Sequence, residues 1–176
     1  GHAALVELAE LLAVPVVEGL FALYANFPTD HALYQGPGRP PLIDEADLIL
    51  TIGCRQPWYP LARKPRKARI VAIDDTPFRD HMVYQPSEAE RFLEGNITAN
   101  LENLAEAIRA AGTDTEAVEA RRATWTAASD ARRTELKEIE SKDATRATIS
   151  PALLAAELAK AAPDDVIIVD ECITHR

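Results

Sequence analysis

The chain has 176 residues, of which 47% are hydrophobic and 27% charged, with a formal net charge of -9 and a sequence pI near 4.9. That length holds one well-packed domain plus an appendage, at the usual ~100 to 200 residues per domain. The acidic balance argues against nucleic-acid binding, which needs clustered Lys and Arg, and no run reaches the ~20 apolar residues of a membrane span.

Two further exclusions follow from residue types. Cys54 and Cys172 each follow an expected strand and have no second Cys or His at ligand spacing, so neither a zinc site nor a disulfide framework is implied. The basic cluster Arg63-Lys64-Pro65-Arg66-Lys67 leads into a strand and reads as a solvated loop. The chain reads as soluble and cytoplasmic.

Residues 3–13 place Leu5, Val6, Leu8, Ala9, Leu11 and Leu12 on one broad stripe with Glu7 and Glu10 opposite, which predicts an amphipathic helix. Pro15-Val16-Val17 reads as a strand. A parallel α/β unit normally opens on a strand, whereas only Gly1-His2 precede this helix, so the first strand of the fold is expected to be missing.

Residues 19–41 show no clear period and carry Gly19, Pro28, Gly36, Pro37, Gly38, Pro40 and Pro41, a long excursion of the kind that is functional or docks on a neighbour. Leu42 to Ala46 is at most one helical turn. Asp47-Leu48-Ile49-Leu50-Thr51-Ile52-Gly53 is the clearest strand, and Ala68 to Asp75 is another. Asn96-Ile97-Thr98 is a short strand or a lead-in to the helix expected over Ala99–Ala111, whose stop signal is Gly112.

From Asp114 to Asp143 the composition turns to Ala, Glu, Arg and Thr, with Val118, Trp125, Leu136 and Ile139 as the sizeable apolar residues. A long, mostly solvated helix, continuous or broken, fits that pattern. Ser150-Pro151 then supplies an N-cap and a first-turn proline for a helix with Leu153, Leu154, Leu158 and Ala161 inward. After Pro163, the β-branched run Val166 to Val169 predicts a strand covered on both faces, followed by polar Asp170 to Arg176. Strand and helix alternate throughout, so the expected fold is α/β: a Rossmann-like, doubly wound parallel sheet.

In such sheets ligands bind beyond the carboxyl ends of the strands. Gly53 allows close backbone approach there, and Arg55 offers a planar fork suited to a diphosphate or carboxylate, or to a neighbouring acid. Asp74 sits where dinucleotide folds hold ribose hydroxyls, although no Gly-x-Gly-x-x-Gly run precedes it and a turn role through Asp75-Thr76-Pro77 is equally open. His31, in the long loop, is either a donor to a bound group or a structural imidazole. No paired carboxylates, triad or P-loop appears, so no catalytic residue and no metal ligand is assigned.

The order Ala9 to Val17, then Phe27-Pro28-Thr29-Asp30-His31-Ala32-Leu33-Tyr34-Gln35-Gly36, then Glu45 to Arg55, then Ile73-Asp74 resembles the central domain of thiamine diphosphate-dependent enzymes of the acetolactate synthase and benzoylformate decarboxylase group. The resemblance spans nearly the whole chain. It implies a central α/β domain over 1–112, a linker helix over 113–149, and the beginning of a diphosphate-binding domain over 150–176.

By position, Glu171, Thr174 and His175 match the loop at the cofactor's diphosphate, while Gly53, Arg55 and Asp74 fall where FAD or ADP lies in relatives that bind them. Gln56-Pro57-Trp58-Tyr59-Pro60 stands where the synthases carry a Phe-Asp-Asp-Arg-like run, which argues against FAD. The implied protein is a 2-oxo acid decarboxylase or carboligase, a carbon–carbon lyase or transferase. It uses thiamine diphosphate and Mg2+ and is assembled as a homodimer or homotetramer. This chain would lack the other domains and be inactive alone. The alternative is a stand-alone nucleotide- or FAD-binding module with a regulatory or structural role.

Overall fold

The structure, a computed structural model, describes residues 1–19, 26–38, 41–54, 57–58, 64–78, 89–145, 147–163 and 165–167. Two compact units divide at residue 129: Gly1–Ser129 and Asp130–Arg176.

The first unit is a parallel α/β layer. Helix α1 (His2–Leu12) leads into β1 (Val16–Glu18), which pairs in parallel with β2 (Tyr34–Pro37). A short helix α2 (Leu42–Glu45) precedes β3 (Leu48–Ile52), which pairs in parallel with β4 (Arg69–Asp74); β5 (Arg91–Glu94) continues the sheet in the order β3-β4-β5. Helix α3 (Ile97–Ala111) follows. The expected all-parallel α/β architecture is present in both sheets.

Register explains the core. Leu50 faces Val71 and Ile52 faces Ile73 across the β3–β4 ladder, so alternation puts Leu50, Ile52 and Ile73 on one face. That face packs on α1 and α3 through Ala4, Leu8, Leu101 and Ala105. On the opposite face Thr51, Ile70, Ala72 and Asp74 are also buried. Burial on both faces is what a parallel sheet requires.

Helix α1 serves two cores. Leu8 joins the cluster around Ile73, and its neighbour Ala9 joins a second cluster with Phe27, Leu33 and Tyr34, flanked by Val16 and Trp125. The helix stops at Ala13, which takes the left-handed conformation at φ 50° while its backbone N–H reaches the carbonyls of Ala9 and Glu10. A non-glycine there is uncommon. Ala13 is fully buried, so its methyl fills space that glycine would leave empty.

Two strands escape the sequence reading. β2 lies inside the Gly- and Pro-rich excursion, and β5 lies just before the Asn96 segment that was open to a strand reading. Asn96 is instead the N-cap of α3, accepting from the Ala99 N–H at 3.0 Å. Gly112 ends that helix at φ 79°, as its position predicts.

Helix α4 (Thr115–Asp143) is one unbroken element of 29 residues. Its first half belongs to the α/β unit. Val118 is buried, Arg121 Nε donates to the Leu12 carbonyl at 3.0 Å, Arg122 Nη2 donates to the Glu10 carbonyl at 2.8 Å, and the Trp125 carbonyl accepts from Gln35 Nε2 at 3.0 Å.

The second unit contains the distal part of α4 and helix α5 (Pro151–Ala161). Ser150 caps α5 as expected, accepting from the Leu153 N–H at 3.1 Å, and its hydroxyl donates to Asp143 Oδ2. The inward face predicted for α5 is not buried: Leu154 is 51% and Leu158 is 58% exposed. The predicted strand at Val166 also fails in its described part, since Val166 and Ile167 are in no strand and are 45% and 88% exposed. A strand covered on both faces needs partner strands, and the described residues of this unit supply none. Residues 168–176 lie outside the described residues. Among those described, no helix is long and apolar enough to cross a membrane.

Candidate functional site

Among the described residues, the carboxyl ends of β1, β3 and β4 carry chain reversals, glycines and polar side chains. Gly19 follows β1, and Gly53 and Cys54 follow β3. A Cβ on Gly19 would stand 2.9 Å from Cys54 Sγ, closer than real Cβ contacts come. The Gly19 backbone therefore lies against the Cys54 side chain, and any larger residue at 19 would have to displace that sulfur.

Gly53 turns the chain at φ 55°, and its N–H donates to the Ile73 carbonyl at 2.9 Å. A Cβ there would press on Ile97 Cδ1 at 3.3 Å, at the first turn of α3. At Gly53 the close neighbour is the start of α3. Cys54 is in no disulfide among the described residues and is half-buried.

Asp74 ends β4 with 5% of its surface exposed. Its Oδ1 accepts from the Thr76 N–H at 2.9 Å, closing a turn two residues ahead, and its carbonyl accepts from Gly95 N–H at 3.0 Å. The turn role open to Asp74 from sequence is thus occupied by one carboxylate oxygen.

His31 proves to be a structural imidazole. Nδ1 accepts from the Leu33 N–H at 3.1 Å, Nε2 lies 3.2 Å from Glu10 Oε1, and the ring meets Phe27 edge-on at 4.9 Å between centroids. Trp58 is 5% exposed and so is buried by this chain itself. Arg55, Glu171, Thr174 and His175 lie outside the described residues. The structure therefore brings Gly53 and Asp74 to strand ends and adds Gly19 and Cys54, which sequence reasoning left as a loop glycine and a cysteine with no metal or disulfide role. Which strand ends touch depends on strand order, and no local pattern announces it.

Among the described residues no group of three His, Cys, Asp or Glu could hold a metal ion. Asp74 has an oxygen committed to the turn, and the described edge offers no cationic side chain to a diphosphate. The described residues thus do not make a complete cofactor cradle.

No protein-family model matches the chain, and no curated protein does. Among solved structures, it is similar to an X-ray structure from Mycobacterium smegmatis assigned as a thiamin diphosphate-dependent enzyme. The identity is 26% and the TM-score 0.50, over 60% of this chain and 22% of that one. The class this defines is a Rossmann-like α/β segment similar to part of a thiamin diphosphate-dependent enzyme. The chain spans about a fifth of the solved chain's length, 22%.

Proposed function

We propose that this chain is the central α/β segment of a thiamine diphosphate-dependent enzyme that decarboxylates or carboligates 2-oxo acids, of the acetolactate synthase-like kind, acting in the cytoplasm as a homodimer or homotetramer. The observation that carries the reading is the similarity to the M. smegmatis protein at 26% identity over 60% of the chain. It is supported by the parallel order of β1 to β5 and by the run from Phe27 to Gly36 that resembles this family.

In this reading the chain's part is architectural. Gly19 and Gly53 let the strand ends close tightly, and α1, α3 and the first half of α4 hold the sheet. The cofactor, when bound with Mg2+, supplies the electron sink for loss of carbon dioxide. Glu171, Thr174 and His175 are assigned to its diphosphate edge, where a hydroxyl and an imidazole N–H serve as donors. Gly53, Arg55 and Asp74 are assigned to a nucleotide crevice that FAD or ADP would fill; Trp58, buried beside the departure from the flavin pattern, weighs against FAD.

The test is to express the whole reading frame that contains this sequence and assay 2-oxo acids with thiamine diphosphate and Mg2+. Cofactor-dependent release of carbon dioxide or formation of a hydroxyketone is expected, and its absence across a panel of 2-oxo acids overturns the reading. The 176-residue chain alone is expected to give no turnover. Titration with FAD is expected to leave flavin fluorescence unchanged; quenching at micromolar concentration would favour a flavin-binding module instead.

A further inference from the structure

Each of the two parallel sheets has one backbone edge that no described strand pairs with. In β3 the Asp47 carbonyl accepts from Arg69 N–H at 2.8 Å and Gly53 N–H donates to the Ile73 carbonyl at 2.9 Å. Alternate residues of a parallel strand bond to opposite neighbours. The odd-numbered residues of β3 therefore face β4, and the N–H and C=O groups of Leu48, Leu50 and Ile52 face away from it. In β1, Val16 N–H donates to the Leu33 carbonyl at 2.8 Å and the Glu18 carbonyl accepts from Gly38 N–H at 2.9 Å, which turns the Val17 groups away from β2.

These edges face each other. Gly19, just past β1, lies against Cys54, just past β3, so both strands end on the same side. Helix α1 roofs both: Ala4 and Leu8 pack with Leu50 and Ile52, Ala9 packs with Val16, and Leu5 joins both clusters. Yet β1 and β3 belong to separate hydrogen-bonded sheets. A doubly wound sheet places its first strand between its second and its fourth, and β1, β2 and β3 match the second, third and fourth places. Burial agrees: Val17, Leu50 and Ile52 are only half-buried and Leu48 is 49% exposed, where inner strands of a parallel sheet are normally covered.

We propose that the edges of β1 and β3 are a receptor for one further β-strand, an extended β-branched segment of the same polypeptide that runs parallel to both and leads by a short turn into Gly1. The direction follows from where α1 starts. A Cβ on Gly1 would lie 3.4 Å from Thr98 Oγ1, and one on Gly53 would lie 3.3 Å from Ile97 Cδ1. The first turn of α3 thus sets the start of α1 beside the carboxyl end of β3. A segment joined to Gly1 arrives at that end and so runs the same way as β1 and β3. Segment, α1 and β1 then make the strand–helix–strand crossover that joins parallel neighbours. The receptor rests on strand order and backbone bonding alone, so a failed turnover assay leaves it standing.

Amide exchange on the 176-residue chain, corrected for intrinsic rates, reads the edges first. Ile49 and Thr51 amides are expected to be protected by β4, with Leu50 and Ile52 exchanging roughly tenfold faster or more. Equal protection along β3 overturns the proposal. Extending the chain ahead of Gly1 with the probe Val-Ile-Val-Thr-Val and a Gly-Ser turn is then expected to protect Val17, Leu50 and Ile52 and to raise the thermal midpoint. The same extension with proline at alternate positions lacks the donors and is expected to do neither. An extension that leaves these amides exchanging, or a proline form that protects them equally, overturns the receptor. So does protection that grows with the concentration of the unextended chain, which assigns the edges to a second copy. Should the extended chain aggregate, the probe peptide with a lysine tail is titrated in trans, where protection of the same amides is expected and its absence at saturating peptide overturns the proposal.

Discussion

Arg121 Nε on α4 donates to the Leu12 carbonyl on the last turn of α1, at 3.0 Å. The last carbonyls of a helix have no partner within it, and here a side chain 109 residues onward supplies one. With Arg122 on the Glu10 carbonyl, two consecutive residues of α4 close the end of α1.

Replacing Arg121 with Ala should therefore cost about 1 to 2 kcal/mol, the net worth of a charge-assisted hydrogen bond. A urea midpoint followed by circular dichroism reads it, with the slope unchanged. A chain ending at residue 129 should keep cooperative unfolding, whereas one ending at residue 112 loses Val118, Trp125 and both arginine ties and should not. Equal cooperativity in the two would show that α4 is dispensable to the sheet.

Asn96→Ala removes the side-chain acceptor of the Ala99 N–H and should destabilise the chain by about 1 kcal/mol, while Asn96→Asp should retain most of it. Thermal melts of the two variants compare the losses directly. A melt of Asn96→Ala that overlays the parent would mean that water caps α3 equally well.

Gly19→Ala forces a methyl against Cys54 Sγ. The expected cost is about 1 to 3 kcal/mol. Adding Cys54→Ala should recover most of it, because the colliding sulfur is gone. A double-mutant cycle measures the coupling; additive effects would mean that the thiol simply rotates aside.

Thr51 Oγ1 is buried and has no hydrogen-bond partner among the described residues. Thr51→Val keeps the shape and removes the unmet polar group, so stability should hold or rise by up to about 1 kcal/mol. A loss above that in chemical denaturation would reveal a partner for the hydroxyl.

Much of the fold was legible because burial in a parallel sheet writes continuous apolar runs. Leu48 to Ile52 and Ile70 to Ile73 declare β3 and β4 without tertiary information. β2 was hidden because its residues, Tyr34-Gln35-Gly36-Pro37, belong locally to a turn-rich segment, and only pairing with β1 makes them a strand. β5 was hidden by charge: Arg91 and Glu94 enclose Phe92 and Leu93, a run too short to stand out. Helix α4 read as mostly solvated because few apolar residues, Val118 and Trp125 in its first half, dock it, the rest of the contact running through arginines and a main-chain carbonyl.

At the strand edge, the places of Gly53 and Asp74 followed from where the apolar runs stop. The meeting of Gly19 with Cys54 did not, since it joins ends 35 positions apart in sequence, residue 19 to residue 54. The imidazole of His31 was visible as a residue type, but its duty was set by two partners, one of them on α1.

The Ser150 hydroxyl does two jobs at once, donating a hydrogen bond to Asp143 in the last turn of α4 and accepting one from the Leu153 N–H in the first turn of α5. One hydroxyl thus links the last residue of α4 to the first turn of α5. Any chemistry that esterified this oxygen would remove the hydrogen bond given to Asp143 and set a bulky group where α4 ends and α5 begins.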